Sequence, residues 1–330
     1  MSEALLPDLA AAAIAFTIIL YVILDGTDLG VGILLATRQD PDEKKIMVNS
    51  ILPIWDGNET WLVLGGGGLL ALFPVVYSVL FSALYIPVIM MLLALIARAV
   101  ALEFRADAPT RMKRWLDICL VAGSLIATLC QGMIMGGVVQ GIEQEQGRFS
   151  GHGWEWLGAF ALTCGVVLVI GYALLGSCWL VWRTEGRLQA AAKGQARTLG
   201  WLTLVGIAAI LVWTGLSNQV YRDHLLNSSL SLPLLALQCA LVAGFYWAFS
   251  SRLEFLPLFA VLGWFGVAFV TAILVLYPLI LPPSLTISQS SSPAASQAFV
   301  LAGFVVLVPV TLVYNTWGFW VFRGKITAGK

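Results

Sequence analysis

Charged residues are scarce in this sequence. Only 11% of its 330 residues are Asp, Glu, Lys or Arg, whereas 59% are hydrophobic and the mean hydropathy is +0.90. Because an ordinary soluble domain carries roughly 25% charged residues, this composition indicates an integral membrane protein. The net charge is +0 and the basic residues are dispersed, so the chain lacks the basic patch that nucleic-acid binding requires. We expect no nucleic-acid partner.

Histidine is nearly absent, with two copies in the chain. His152 and His224 lie in polar segments between apolar runs and outside the predicted helices. Haem iron in such proteins is held by His, Met or Cys, and the methionines here have no histidine across from them. The cysteines lie in apolar stretches without a CxxC pair, as small buried residues do: Cys119, Cys130, Cys164, Cys178 and Cys239. We therefore expect this chain to ligate no metal and to hold no catalytic residue.

Long apolar runs fill most of the chain. A membrane-spanning helix needs about 20 consecutive apolar residues, and this measure predicts nine spans in a single all-α membrane domain, residues 1–330. The spans lie near 9–36, 51–72, 76–104, 115–141, 154–183, 197–216, 229–250, 256–281 and 297–322. Only FPVVY separates the second span from the third, and Pro74 favours a tight turn there.

The distribution of Lys and Arg predicts the orientation. With the N-terminus outside, fifteen of the 18 basic residues fall in cytoplasmic segments and two fall outside, whereas Arg98 lies within a span. Cytoplasmic loops carry such an excess. The split predicts a multi-pass protein with nine spans, an external N-terminus and a cytoplasmic C-terminus.

Six charged residues fall within or at the ends of the first four spans. They are Asp25, Asp28, Asp56, Glu59, Arg98 and Asp117. A charge inside a bilayer costs several kcal/mol, about 3 or more, and the predicted topology puts all six in the cytoplasmic half. We expect an inward-opening polar pocket in which Arg98 neutralises an aspartate and Asp56 or Glu59 stays protonatable. The pocket is either a proton route, alone or shared with a partner, or a structural ion-pair network; Asp117 is the more interfacial member.

A run of four glycines, Gly65–Gly68, lies in the second span. Each glycine weakens a helix by roughly 1 kcal/mol relative to alanine, but it allows another backbone or a flat ligand to come close. Tight helix packing is favoured over a groove for a quinone or another cofactor. No GK[ST] follows the run, which excludes a phosphate-binding loop.

Three stretches together resemble subunit II of cytochrome bd-type quinol oxidases. They are LDGTDLGVGILL at 24–35, ILPIWDGNETWLVLGGGGLLALFPVVYS at 51–78 and IARAVALEFR at 96–105. The segment WDGNETW with its glycine run is the most specific, whereas later helices match mainly in pattern, as in VPVTLVYNTWGFW at 308–320. The run GGGGLLALFP is similar to the cyanide-insensitive branch.

The resemblance implies two four-helix bundles plus one peripheral helix, in a bacterial cytoplasmic (inner) membrane. It implies a haem-bearing subunit I with two b-type haems and one d-type haem, and a complex that oxidises membrane quinol and reduces dioxygen to water with cytoplasmic protons. In relatives this subunit can hold a structural quinone, and a single-helix small subunit often joins. By resemblance, Asp28, Trp55, Asp56, Arg98 and Asp117 stand where the family carries residues linked to assembly or proton delivery, whereas Asp25 and Glu59 match less securely.

Two alternatives remain at this point. Intramembrane carboxylates, an arginine and a glycine-rich helix are also natural in an independent secondary transporter, although the irregular second span has no counterpart in the second half of the chain. The other alternative is a purely structural oxidase subunit with no role in proton transfer.

Overall fold

The computed structural model of this chain describes residues 5–326. Within that range the fold is all-α, as predicted, with two short hairpins, Gln144–Phe149 and Leu279–Thr286. The long helices are α1 (Leu6–Leu34), α3 (Trp55–Leu72), α5 (Tyr85–Phe104), α6 (Thr110–Gln140), α7 (Ala159–Arg183), α8 (Gly186–Ser217), α10 (Ser231–Ala248), α11 (Leu256–Leu276) and α13 (Ala294–Val321). The short helices are α2 (Pro41–Ile51), α4 (Pro74–Ala83), α9 (Gln219–Asn227) and α12 (Ile287–Ser290).

Eight helices of the described range are long and apolar enough to cross a membrane, namely α1, α5, α6, α7, α8, α10, α11 and α13. α3 and α4 pass this test only together, and the pair is bent by 119°. The predicted number of nine spans is therefore reached only if the bent pair is one span.

Two prolines divide the predicted second and third spans. Pro74 begins α4 after an irregular residue, Phe73, which confirms the turn expected there. The single helix predicted over 76–104 is wrong, because α4 ends at Ala83 and α5 begins at Tyr85. Pro87 explains this second break, since a proline ring clashes with the carbonyl four residues earlier, which here belongs to Ala83.

Several helices extend beyond the apolar runs. α8 begins at Gly186 rather than near 197, because the polar stretch RLQAAAKGQAR is rich in strong helix formers. Two short polar helices, α2 and α9, occupy segments predicted as loops. His224 therefore lies in a helix, contrary to the prediction, although α9 is outside the eight candidate spans.

α1 and α7 cross with almost no space between their backbones. A Cβ atom on Gly30 would lie 1.8 Å from the carbonyl oxygen of Tyr172, and one on Gly176 would lie 2.3 Å from the carbonyl carbon of Gly30. α6 and α7 cross in the same way at Gly132, whose Cβ would lie 2.5 Å from the Cα of Gly165. These crossings hold α1, α6 and α7 together around the polar residues described below.

Burial differs between the two halves of the chain. In the most apolar windows of α6 and α7, 44% and 56% of residues are buried, compared with 11% in α10 and α13. The prediction that all five cysteines are buried holds for Cys130, Cys164 and Cys178. It is wrong for Cys239, which is exposed on α10, and Cys119 is only partly buried. An apolar environment of lipid, rather than of protein, explains why that helix is still apolar in sequence.

A cluster of hydrogen bonds ties the C-terminal segment to three helix ends. Lys325 donates to the Glu254 carboxylate and, at 2.9 Å, to the carbonyl of Thr184. Gln189 donates to the same carboxylate at 2.7 Å, and the backbone N–H of Ile326 bonds the carbonyl of Arg183 at 2.9 Å. The segment after α13 therefore joins the end of α7, the start of α8 and the loop between α10 and α11.

Glu254 gives this cluster a pH-dependent contribution to stability. Burial alone would raise the pKa of its carboxyl, but the hydrogen bonds from Lys325 and Gln189 and the positive charges of Lys325 and Lys193 outweigh burial and lower it. A carboxyl whose pKa is lower in the folded state stabilises the fold above its unfolded-state pKa, about 4.3, and loses that contribution as the pH falls below it.

We expect Glu254→Gln to lower the free energy of unfolding at pH 7 by roughly 0.5–1 kcal/mol, as for partly exposed ion pairs. The measurement is thermal unfolding of the purified protein in detergent from pH 7 to pH 3. The difference from the parent protein should shrink as the pH falls below about 4.3 and be lost once the pH is below the lowered pKa of Glu254. Glu145→Gln, in an exposed hairpin, is the control. A difference that persists at the lowest pH would contradict this account.

Candidate functional site

Arg98 on α5 forms ion pairs with carboxylates from two other helices. Its Nη1 atom lies 2.9 Å from Asp25 Oδ1 on α1 and 2.8 Å from Glu59 Oε1 on α3. The side chains of Arg98 and Asp25 are fully buried, whereas that of Glu59 is 25% exposed. The prediction that Arg98 neutralises an aspartate is therefore consistent with the geometry, and Glu59 is the member of the site that reaches the protein surface.

Asp28 completes this site, which we call the Arg98 cluster: Asp25, Asp28, Asn58, Glu59 and Arg98. Asp28 Oδ2 lies 4.0 Å from Arg98 Nη2 and accepts a 2.7 Å hydrogen bond from Asn58 Nδ2. Asp25 and Asp28 are three residues apart on α1, so both face α3 and α5. Their common face is the reason that sequence spacing could place them in one site.

The Arg98 cluster contains more negative than positive groups. One guanidinium faces three carboxyl groups, so full ionisation would leave a net charge of −2 in a buried site. Burial and like-charge repulsion both disfavour that state, and we infer that at least one carboxyl carries a proton. Five buried atoms of the cluster also lack a hydrogen-bond partner among the described residues: Asp25 Oδ2, Asp28 Oδ1, Asn58 Oδ1, Arg98 Nε and Arg98 Nη2.

Asp56 does not join the Arg98 cluster, contrary to the expectation that one polar pocket holds the charged residues of the first spans. The side chains of residues three apart on a helix differ by about 60° in direction. At the start of α3 this difference is enough to place Glu59 against Arg98 and Asp56 at the surface. Asn58 and Trp61 point into the protein, whereas Asp56 is exposed in a groove beside α13. Trp55 is partly buried and packs against the apolar core rather than the cluster.

Asp117 belongs to a second, separate ion cluster. Its carboxylate accepts a hydrogen bond from Arg105 Nε and lies 3.4 Å from Lys44 Nζ. The three residues join the end of α5, the start of α6 and the short helix α2. The single pocket predicted for all the charged residues is thus wrong, and the expectation that Asp117 is the more interfacial member agrees with its position near the start of α6.

Sequence reasoning missed a hydrogen-bonded chain beside Asp25. The Tyr172 hydroxyl donates to Gln131 Oε1 at 3.0 Å, and Gln131 Nε2 donates to the Tyr21 hydroxyl at 2.7 Å. The chain links α7, α6 and α1 and ends one helical turn from Asp25, on the same face of α1. That i, i+4 spacing of Tyr21 and Asp25 was the available signal, but the partner Gln131 lies 110 residues away.

The four glycines of Gly65–Gly68 have two different surroundings. A Cβ on Gly65 would lie 3.1 Å from Thr17 Oγ1, and one on Gly68 would lie 2.7 Å from Ile14 and Phe304. Gly66 and Gly67 face open space, with no described atom within 4 Å. Helix packing therefore accounts for two of the glycines, and the run does not form one continuous groove within this chain.

The donor set of this chain does not fit a haem. His152 is exposed in a loop, and the Nδ1 atom of His224 lies 3.0 Å from the carbonyl of Val275. Within residues 5–326, no three His, Cys, Asp or Glu side chains are grouped to hold a metal ion. The part of the chain that the structure describes therefore offers no histidine within a candidate span to bind haem iron.

Comparisons with known proteins agree along almost the whole chain. The family described as "Cytochrome bd terminal oxidase subunit II" matches residues 6–322. "Cytochrome bd-I ubiquinol oxidase subunit 2" of Escherichia coli K12 is 30% identical over 93% of this chain and 91% of its own length. "Cytochrome bd ubiquinol oxidase subunit 2" of Bacillus subtilis 168 is 27% identical over 98% of this chain and 97% of its own.

The fold also matches a solved structure, the bd oxidase from Geobacillus thermodenitrificans. The TM-score is 0.81 at 17% identity, and the alignment covers 97% of this chain and 99% of the other. At this identity the match supports the fold alone, and it agrees with the all-α membrane architecture described above.

We expect Arg98→Met to destabilise the protein by about 3–5 kcal/mol, because it leaves Asp25 and Asp28 buried without a counter-charge. Thermal unfolding of the purified protein in detergent measures the effect. The double variant Arg98→Met/Asp25→Asn should recover part of the loss, since it removes one of the unpaired charges. Unchanged stability of the single variant would show that the ion pairs do not hold α1, α3 and α5 together.

Proposed function

The chain belongs to the cytochrome bd terminal oxidase subunit II family, and from this we propose that it is a haem-free subunit that helps supply cytoplasmic protons for dioxygen reduction. Family membership makes it part of a multi-pass quinol oxidase complex that contains haem cofactors and a subunit I. In our proposal subunit I holds the two b-type haems and the d-type haem, and the complex lies in a bacterial cytoplasmic membrane. A structural quinone and a single-helix small subunit complete the proposed assembly.

In the proposed orientation the Arg98 cluster lies in the cytoplasmic half of the membrane, on the side from which the proposed reaction takes its protons. Two quinols release four electrons and four protons, and one dioxygen takes up four electrons and four protons to form two waters. In our proposal the four protons that dioxygen takes up come from the cytoplasm. Groups within the membrane must then bind these protons and pass them on. The haems of the partner supply the electron chemistry, and this chain supplies groups that bind and release protons.

The single observation that carries this proposal is the excess of carboxyl groups around Arg98. Asp25 and Glu59 share the same guanidinium nitrogen, at 2.9 and 2.8 Å, so they compete for one counter-charge. Asp25 and Asp28 are fully buried, whereas Glu59 is 25% exposed. Glu59 is therefore the carboxyl that can exchange a proton directly with water outside the site or with a partner, while Arg98 keeps the two aspartates in place.

Two alternatives to this proposal are an independent transporter and a purely structural cluster. Membership of the oxidase subunit II family gives no support to an independent transporter. A purely structural cluster remains the competing interpretation, because ion pairs between α1, α3 and α5 stabilise packing whether or not a proton moves. The two interpretations differ in what happens when Glu59 keeps its shape and loses its charge.

We expect Glu59→Gln to lower the oxygen consumption rate of the purified complex by roughly a hundredfold or more, within the range of a lost acid–base group. The haem absorption spectrum should stay the same, because Arg98 keeps its contact with Asp25. Asp56→Asn should also slow turnover if the exposed carboxylate collects protons for the cluster. Asp107→Asn, in an exposed loop, is the control.

A structural cluster predicts a different result. In that case Glu59→Gln would leave the rate per haem unchanged, or would lower haem content and rate together. The parent complex must first show a haem-bearing partner that co-purifies and a reduced d-type band in the red. A colourless chain that purifies alone would contradict the oxidase proposal itself.

A further inference from the structure

A cavity of about 220 Å³ lies between the start of α3 and the end of α13. Asp56 and Asn58 line it from α3, and Asn315 and Gly318 line it from α13. Most of the remaining lining is aromatic or aliphatic, including Tyr314. The polar groups are thus few, and they face one another across the same space.

Asn315 is a polar side chain in an apolar helix. It is only 8% exposed, and neither Nδ2 nor Oδ1 has a hydrogen-bond partner among the described residues. A buried polar group without a partner costs about 1–3 kcal/mol, so the position calls for an explanation. α3 also comes close to this amide, since a Cβ on Gly57 would lie 2.8 Å from Asn315 Oδ1.

Asn58 connects the cavity to the Arg98 cluster. It is 1% exposed, and its Nδ2 atom donates to Asp28 Oδ2 at 2.7 Å. Its Oδ1 atom has no partner in the described part of the chain. One amide therefore borders the cavity and contacts a buried carboxylate of the site at the same time.

The cavity has the properties of a water-binding space. Apolar cavities stay dry, whereas a buried water needs two to four polar partners and a share of about 30 Å³. The two atoms of Asn315, Oδ1 of Asn58 and the Asp56 carboxylate supply such partners, and the volume has room for several waters. Ordered water there would also satisfy the amide atoms that lack protein partners.

We propose that water held between Asn315 and Asn58 delivers protons from the α13 side past Asn58 to the Asp28 carboxyl, and that Asn315 is a positioning residue for this water. The inference rests on the proposed function and adds a route to it. The amides orient the water and take no proton themselves. The O–H bond that breaks belongs to a protonated water, and the O–H bond that forms is on the Asp28 carboxyl, which is neutralised.

The first experiment tests whether water fills the cavity in the purified complex. Gly318 and Gly303 both lie on α13, and a Cβ on either meets no described atom within 4 Å. Gly318→Cys places a thiol at the cavity lining, whereas Gly303→Cys places one outside it. We expect a small charged methanethiosulfonate reagent to label the Gly318→Cys variant faster than the Gly303→Cys variant, since thiolate forms in water, with the parent giving the background.

Adding Asn315→Leu to the Gly318→Cys variant should slow its labelling, because this change replaces the amide that holds the water with an apolar side chain. No labelling of the Gly318→Cys variant above background, or a labelling rate that Asn315→Leu leaves unchanged, would overturn the inference. The labelling rate does not depend on oxidase turnover. A negative labelling result would therefore overturn this inference without contradicting the proposed function.

The second experiment measures oxygen consumption per haem. Asn315→Leu should lower it by roughly tenfold, as displaced positioning groups do, at unchanged haem content. Asn315→Ser keeps a hydrogen-bonding group and should retain most of the rate. A normal rate in Asn315→Leu together with a slow Glu59→Gln variant would overturn the route through α13 and leave the proposed function intact. Normal rates in both would overturn the two together.

Discussion

The sharing of one guanidinium by three carboxyl groups sets the arrangement of the first half of this protein. Arg98 comes from α5, Asp25 and Asp28 from α1, and Glu59 from α3. Lipid offers no alternative partner for such groups. The three helices must therefore place these side chains at the same depth in the membrane and turn them toward one another. Glycine contacts between α1 and α7 and between α6 and α7 then fix the surrounding helices.

The irregular α3–α4–α5 segment follows from the same requirement. α3 must bring Asn58 to Asp28 on α1 and Glu59 to Arg98 on α5 while Asp56 stays at the surface. Pro74 and Pro87 turn the chain between α3 and α5. Two of the four glycines in α3 pack closely against Thr17 and Ile14. A Cβ on either of the other two would meet no described atom within 4 Å.

The sequence predicted the membrane class, most spans, the family and the pairing of Arg98 with an aspartate. These predictions succeed because they depend on local properties of the sequence, namely the length of an apolar run, the cost of intramembrane charge and helical spacing. The position of Asp56 depended on the rotation of α3 by a fraction of a turn, which tertiary packing determines. Gln131 and Asn315 are isolated polar residues in the sequence. Their surroundings depend on the contacts of α6 with α1 and α7 and of α13 with α3, which are tertiary contacts. The break between α4 and α5 at Leu84 was missed because the apolar run over 76–104 favours one continuous helix, whereas Pro87 favours an interruption.

The Asp25–Arg98 pair has a consequence for biosynthesis. Its members are 73 residues apart in the chain, so at translation rates of about 5–20 residues per second α1 precedes its counter-charge by roughly 4–15 s. During that interval two carboxyl groups of α1 have no arginine to meet. They can stay within the bilayer only as neutral acids or under the cover of the insertion machinery. Arrival of α5 is then the event that supplies the counter-charge, so the ion pair of α1 is completed by a helix made later.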